Sequence, residues 1–501
     1  MDFLDPNKKR KHRIRLFIGY GLLAIALSIT TAILTYQAAG YDARPSTGVF
    51  QNGILFVDAH PEPAQIFIND AYKGTTDSRF ILPEGTYRVV LQRDGYHNWT
   101  RTVNVRGGQV RRLVYPFMIP AQLEQNDEVL YGKDPALFTQ SPDRRWLLAQ
   151  SAEKTLAFQL FDLANDPVRP STYELAPSLL TNSGPDYTIE AVEWSDDNRH
   201  LIVKNSYTDA NDNAVAEFIR IDREDPKKSI RLDSVISTSI SEVRLKNKQH
   251  DQFYVLSTNN QLLRVDKENA LPVVIAENVI DFKSHSDKEL LYVVPGKTAE
   301  TVDVMTLNGD EILPFRSLPV SARGYVLDLA RFENDWVVAV GSKSDAQTFV
   351  YVGDFFNQLK AEDAANKPMP ASILRTDEGE ATVSGQFSAT VRFFAVQSGA
   401  SFSVYDVEED KKYDFDVDLS ISANHKVTWM DGHRLTVVDD DSTLYMFDFD
   451  GLNQHNLADG LHNKQAYFDR DYDRFFSFGE SIDIEGRMAL RKTYLRAASD
   501  R

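Results

Sequence analysis

The sequence predicts an all-β exported region, a small β-sandwich followed by a seven- or eight-bladed β-propeller, behind one N-terminal transmembrane helix. Three observations carry that expectation. An uncharged apolar block runs from Leu16 to Gln37 behind a basic leader. Short strands broken by Gly, Pro, Asn and Asp fill Gly53 to Pro120. From there to the end a phrase recurs in which an acidic turn leads into an apolar strand. The boundaries that follow are a basic tail at 1–15, the helix at 16–37, a linker at 38–52, the sandwich at 53–120 and the propeller at 121–501.

Twenty-two residues without a charge separate Leu16 from Gln37, inclusive. At 1.5 Å per residue such a helix spans roughly 33 Å, enough for a hydrocarbon core of about 30 Å. Lys8, Lys9, Arg10, Lys11, Arg13 and Arg15 precede the block and only Arg44 follows it closely, which places the N-terminus in the cytoplasm and the bulk of the chain outside. A cleaved signal peptide is the competing reading. Its apolar stretch is shorter, about 7 to 15 residues, and Gln37, Ala38 and Ala39 fit a small-x-small cleavage site poorly. Tyr36 and Tyr41 stand where interfacial aromatics anchor a helix.

Of 501 residues, 42% are hydrophobic and 11% aromatic, ample for large cores. The net charge is −18, and the six basic residues of the leader against Asp2 and Asp5 leave −22 on the remainder. That balance excludes nucleic acid as the expected partner of the body, because nucleic-acid binding needs basic patches. Cysteine is absent, which removes disulfides, thiolate nucleophiles and Cys-based metal sites.

In the first outer module, Ile54 to Val57, Gln65 to Ile68, Tyr87 to Gln92 and Thr100 to Val105 read as strands, separated by Asn69-Asp70, Pro83-Glu84-Gly85, Asp94-Gly95 and Gly107-Gly108. Pro83 fixes φ entering its turn and Gly85 is expected to supply the freedom to leave it. Pro61-Glu62-Pro63-Ala64, Lys73-Gly74-Thr75, the signature Pro83, Glu84, Gly85, Thr86, Tyr87, and Asp94-Gly95-Tyr96 with Trp99 together resemble a PEGA domain. Thr86 stands where the family usually has Ala. The resemblance implies a surface-exposed β-sandwich of bacterial and archaeal envelope proteins and no catalytic activity. Tyr96, Trp99 and Tyr115 are expected to be core rather than a ligand platform.

Beyond Phe138, Ser141-Pro142-Asp143 before Trp146-Leu147-Leu148 matches Trp194-Ser195-Asp196-Asp197 before Leu201-Ile202-Val203. The same slot recurs at Phe253, Leu290, Trp336, Arg392, Arg434 and Arg474, with a period of roughly forty to fifty residues, as propeller blades do. Leu160 to Leu163, Arg220 to Arg223, Leu263 to Asp266, Val304 to Leu307, Val404 to Val407 and Met446 to Phe449 read as third strands turning into fourth ones. Ala121 to Tyr131 offers a closing strand. Two stacked β-sandwiches are the competing architecture. The Ser-Pro-Asp and Trp-Ser-Asp-Asp phrases resemble TolB-like and WD40-like repeats, although most copies lack the Gly of that turn and no Trp-Asp dipeptide closes the blades. Phe355 to Lys367 reads as a short helix or insertion between blades.

The chemistry the sequence offers is sparse. It contains no Gly-x-Ser-x-Gly elbow, and its ten histidines are scattered without zinc spacing, so no catalytic, cofactor-binding or zinc residue is assigned. Asp209, Asn211 and Asn213 have the oxygen spacing of a calcium loop, with Ala214 where that loop wants Gly, and remain the calcium candidate. Asp439-Asp440-Asp441 and Asp414, Asp416 and Asp418 are expected to be solvated turns and strand faces. The function expected is that of a non-catalytic, membrane-anchored cell-envelope protein presenting its propeller to a protein or a cell-wall glycan. The alternative is an extracytoplasmic hydrolase or lyase acting on glycans, with a carboxylate pair at the propeller channel.

Overall fold

The computed structural model describes residues 6–38, 40–44, 48–150, 157–181, 187–209, 211–266, 269–363, 367–376, 384–422 and 425–501. Residues 1–5 of the basic tail, 39 and 45–47 of the linker, 210 of the calcium candidate and 364–366 of the expected insertion lie outside these.

The N-terminal helix runs from Pro6 to Ala38. Proline suits its first turn, where the missing N–H would have had no intrahelical acceptor. The stretch Arg10–Tyr36 is long and apolar enough to cross a membrane, and none of it is buried against protein. Leu16, Phe17, Ile18, Leu22, Leu23, Ile25 and Leu27 stand exposed around the helix, a surface that water would disfavour at about 25 cal/mol per Å². The chain beyond it divides into two compact units, one holding residues up to Gln122 together with Ala497–Arg501, the other Leu123–Arg496.

The first unit contains two four-stranded sheets. One joins Tyr41–Arg44, Gly48–Val57, Ser78–Pro83 and Val110–Leu113; the other joins Ala71–Thr75, Gln65–Ile68, Gly85–Gln92 and Trp99–Val105. Alternation along Trp99–Val105 buries Trp99, Arg101, Val103 and Val105 on one face, with Leu91 opposite Trp99 and Val89 opposite Arg101 on the neighbouring strand. Tyr96, Trp99 and Tyr115 are all buried, and the Arg101 guanidinium lies near the rings of Trp99 and Tyr115, its Nη1 donating to the Tyr115 hydroxyl. These aromatics are core. The last residues of the chain close onto this unit: Tyr96 Oη donates to Asp500 Oδ2 at 2.6 Å and accepts from the Ala497 N–H at 2.9 Å.

The second unit is a ring of eight four-stranded antiparallel sheets among the described residues. Seven are consecutive in sequence, beginning at Phe138, Tyr187, Ile240, Asp281, Tyr325, Ser384 and Thr428. The eighth takes Leu461–Phe468, Arg474–Glu480 and Met488–Tyr494 from the end of the unit and Gln125–Tyr131 from its beginning, so that one strand closes the ring. The count is therefore eight, and the stacked-sandwich alternative is excluded by that closure.

Strand alternation explains why the sheets form a ring. Leu201 and Val203 point into a cluster with Leu148, Phe158 and Trp194, between blades 1 and 2; Ile202, between them in sequence, points into the cluster shared with Val243, Phe253 and Val255 of blade 3. Every blade is thus apolar on both faces, and each face needs a neighbour. The recurring apolar slot, from Leu147 to Arg474, lies on the second strand of each blade or at its edge. The third strands fall where the sequence places them in blades 1, 2, 3, 4, 6 and 7.

Two local expectations are corrected. The helix Phe355–Lys360 lies inside blade 5, between its third and fourth strands, and Phe355, Phe356 and Leu359 are buried among Trp336, Tyr351 and Leu318. Apolar residues at i, i+1 and i+4 give it one packed face, so it belongs to the core and not between blades. Asp439 is buried rather than solvated. Its Oδ1 accepts from the Asp441 and Thr443 N–H groups, satisfying a tight turn.

Candidate functional site

The turns between first and second strands repeat one polar device. In blade 1, Ser141 and the Arg145 N–H donate to Asp143 Oδ1, and Arg145 forms a two-pronged pair with Asp162. In blade 2, Ser195 and the Arg199 N–H do the same to Asp197 Oδ1, and Arg199 forks onto Asp222. Arg392 and Asp406 repeat the fork in blade 6. Neighbouring turns are also tied together: the Asp143 N–H donates to Asn198 Oδ1, and the Asp196 N–H to the Lys248 carbonyl. The acidic turn phrase legible in the sequence is therefore a structural clamp, and Asp162 and Asp222 are held below the usual carboxylate range by the guanidinium each accepts from, against the burial that opposes it.

Blade 2 departs from the device at one place. His200 occupies the start of its second strand and is buried. Its Nδ1 lies 2.7 Å from Asp197 Oδ2, the oxygen that the turn leaves over, and its Nε2 lies 3.5 Å from Asp222 Oδ2. His250, from the turn of blade 3, stacks on His200 with ring centroids 4.0 Å apart and planes 12° apart, and its Nδ1 is 3.4 Å from the same Asp197 oxygen. Burial, with His200 next, lowers the His250 pKa and keeps that ring neutral at pH 7. Fifty residues separate the two histidines, so no local spacing could reveal the pair; only two adjacent blades bring them together.

Cavities among the described residues of the propeller include an inner and an outer one. The inner one, about 680 Å³, is lined by the first strands of blades 1, 2 and 8, including Thr139, Gln140, Glu190, Gln465 and Tyr467. His462 on its wall faces Asp134 at 3.0 Å. Glu190 is the one carboxylate among its described lining residues. The other, about 800 Å³, lies between blades 2 and 3 and holds buried Glu217, which accepts from the Thr181 N–H at 3.1 Å and faces Arg231 at 3.4 Å.

Ionisable groups cluster on the first strands of blades 3 to 5. Burial and, next, Glu242 push the Asp281 carboxyl up to about 6; Glu242 itself pairs with Arg244 at 2.7 Å. Burial also raises Asp328, against Lys283 at 3.2 Å. Because Asp281 is raised from 3.8, its contribution to stability is full below that value and is lost as pH rises through about 6. Asp281→Asn should therefore gain on the wild type between pH 4 and pH 8, by on the order of 2 kcal/mol, in urea unfolding followed at several pH values.

The residues singled out in sequence are found as follows. Asp209, Asn211 and Asn213 come together at the hairpin between the second and third strands of blade 2, where Asp209 Oδ1 accepts from the N–H groups of Asn211 and Asn213 at 2.8 and 2.9 Å. Those bonds lower the Asp209 pKa and make it the cap of an exposed turn. In the sandwich, the Tyr87 hydroxyl donates to the Pro83 carbonyl at 2.7 Å, closing the turn, and Glu84 Oε2 accepts from the Gly107 N–H at 3.3 Å. Gly85 leaves the turn without a positive φ, and the Tyr87 hydroxyl spans the turn to the Pro83 carbonyl.

Residues 52–119 match the PEGA domain. No curated protein matches the chain by sequence. Among solved structures, the C-terminal WD40 domain of Sif2 is similar at 12% identity and a TM-score of 0.47, covering 74% of this chain and 99% of that one. Oligogalacturonate lyase in complex with manganese has 12% identity, a TM-score of 0.40 and coverage of 76% and 100%. Porphyromonas gingivalis dipeptidyl peptidase 4 has 13% identity, a TM-score of 0.42 and coverage of 69% and 56%. They are a WD40 domain, a lyase and a peptidase, and at such low identity none of them bears on what this chain does.

Proposed function

We propose that the chain is a non-catalytic, membrane-anchored protein of the bacterial cell envelope. The apolar helix tethers it, the basic leader stays in the cytoplasm, and the sandwich and propeller are presented outside to bind a protein or a cell-wall glycan. The observation that supports this most is the inner cavity. Its described lining offers hydroxyl, amide and aromatic groups beside Glu190 and His462, a set that suits recognition by hydrogen bonding and stacking. Asp209, Asn211 and Asn213 stay the calcium candidate of this reading, on a turn where Asp209 Oδ1 accepts from the N–H groups of Asn211 and Asn213.

A second reading, a glycan-acting hydrolase or lyase, is favoured by one observation: Asp281, poised at about 6 beside Glu242, has the raised pKa of a general acid. Retention assays separate the two. The full chain in detergent is offered solubilised membrane proteins and purified cell-wall glycans in parallel. Wild type should retain a partner that is recovered unaltered, and Glu190→Arg with His462→Ala should abolish retention. A glycan returned shortened, with cleavage lost in Asp281→Asn, would replace the binding reading with the enzymatic one.

A further inference from the structure

The geometry points to the outward face of the first sheet of the sandwich as a surface that lies on the membrane, where it takes the phosphate-bearing headgroups of the bilayer that holds the helix. The inference rests on the membrane anchor proposed above and adds a second contact with the same lipid.

Strand register lays the face out. Ile54 stands opposite Ile81 on one neighbouring strand and Val110 on the other, so three aliphatic side chains form a row across the sheet. Phe56, two residues on, stands opposite Arg79 and Arg112, and the Arg112 guanidinium lies over the Phe56 ring at 5.6 Å from its centroid. Leu55 and Val57 alternate with them, point the other way and are fully buried. Ile81 is 66% exposed and Val110 50%. Among the described residues no carboxylate pairs with Arg79 or Arg112. In the other sheet, by contrast, Thr86 stands opposite Asn104 and Arg88 opposite Thr102 on the outward side, and Arg88 is paired with Asp70 at 2.8 Å. Water suits that polar surface. A row of exposed aliphatics beside unpaired arginines suits an apolar layer edged with anions.

The chain connection says which layer that is. Ala38 ends the helix, and the Gly40 carbonyl accepts from the Asn52 N–H at 2.7 Å, two residues before Ile54. Two residues reach at most about 7 Å, paired strands stand about 5 Å apart, and Ile54 lies about 7 Å beyond Asn52, so the aliphatic row is within roughly 20 Å of the helix end. The bilayer around the helix is the apolar, phosphate-bearing surface at that distance.

Charge agrees with the assignment. Residues 40–122 hold nine Lys/Arg against seven Asp/Glu, a balance of +2, whereas the whole chain carries −18 and its first 39 residues +4, which leaves −24 on residues 123–501. The sandwich is therefore the part of the exported chain that an anionic surface attracts rather than repels. Arginine matches phosphate with its forked donors, and its stem can lie along apolar surface while the head reaches the headgroups.

The test uses the full chain, reconstituted in lipid discs of phosphatidylcholine and phosphatidylglycerol. The lack of cysteine allows Leu23→Cys in the helix, Ile81→Cys on the face and Thr102→Cys on the other sheet each to carry a single fluorophore. A nitroxide on the lipid headgroup should quench the Ile81→Cys label by at least about 2-fold and leave the Thr102→Cys label unchanged, while an acyl-chain nitroxide should quench the Leu23→Cys label. Adding Arg79→Gln and Arg112→Gln should bring quenching at Ile81→Cys down toward that at Thr102→Cys. Quenching at Leu23→Cys, with Ile81→Cys quenched no more than Thr102→Cys, would overturn the docking and leave the anchor standing. No quenching at Leu23→Cys would remove the anchor and the docking with it. Shielding of the Ile81→Cys label from water without nitroxide quenching, and only in discs that hold two chains, would overturn the lipid assignment in favour of a second copy.

Discussion

Lys492→Ala should destabilise the propeller unit by about 3–5 kcal/mol, the range seen when one member of a buried ion pair is removed and its partner is left behind. Lys492 lies on the third strand of blade 8, nearly fully buried, with Nζ 2.6 Å from Glu128 and 2.8 Å from Asp166. Glu128 belongs to Gln125–Tyr131, the strand that closes the ring, and is itself buried. The substitution therefore strands a carboxylate in the closure, with the Val168 N–H as its remaining donor at 3.0 Å. Lys492→Met with Glu128→Gln should recover most of the loss, because both charges go together. Against burial, the hydrogen bonds that Lys492 donates to Asp166 and Glu128 raise its pKa, so its contribution is full below the ordinary 10.5 and is lost only in stronger alkali. Urea unfolding of the variant should accordingly show the same deficit at pH 6 and pH 9.

The apolar side of the same closure should be equally costly to damage. Phe476 is fully buried on the second strand of blade 8, in a cluster with Leu147, Phe161 and Leu163 of blade 1 and Tyr467 and Leu490 of its own blade. Phe476→Ala removes most of a ring from the one interface that joins the end of the unit to its start, and the expected loss is about 3–5 kcal/mol. Phe476→Leu keeps most of the volume and should cost less than half as much. Combined with Lys492→Ala, the loss should fall short of the sum, since both changes free the same strand and the second acts on a closure already weakened. A sum that is fully additive would mean that the two sites hold separate structures.

Much of the architecture was legible because each part has a sequence period or a turn chemistry of its own. The apolar block needs no partner to be recognised, and the Pro83 to Tyr87 signature marks the sandwich through a turn that the Tyr87 hydroxyl closes. The blades were visible because each must be apolar on both faces in its second strand, while Ser, Asp and Arg return at the same offset to clamp the turn before it. What stayed hidden depends on contacts between blades. His200 and His250 read as two isolated histidines until adjacent turns stack them. Nothing in the sequence singles out Asp281; burial and, next, Glu242 raise its pKa. The closing strand expected within Ala121 to Tyr131 is Gln125–Tyr131, while its partner Met488–Tyr494, across nearly the whole unit, is what no local pattern encodes.

The binding proposal stands on the side of the membrane that the propeller occupies, and the chain's lack of cysteine makes that directly measurable. Single cysteines are introduced at Asp2, in the basic leader, and at exposed Lys297, in the propeller, and a membrane-impermeant maleimide is applied to spheroplasts before and after lysis. Lys297→Cys labelled in intact spheroplasts, with Asp2→Cys labelled only after lysis, is the predicted result. The reverse pattern would place the propeller in the cytoplasm and contradict an envelope-facing function.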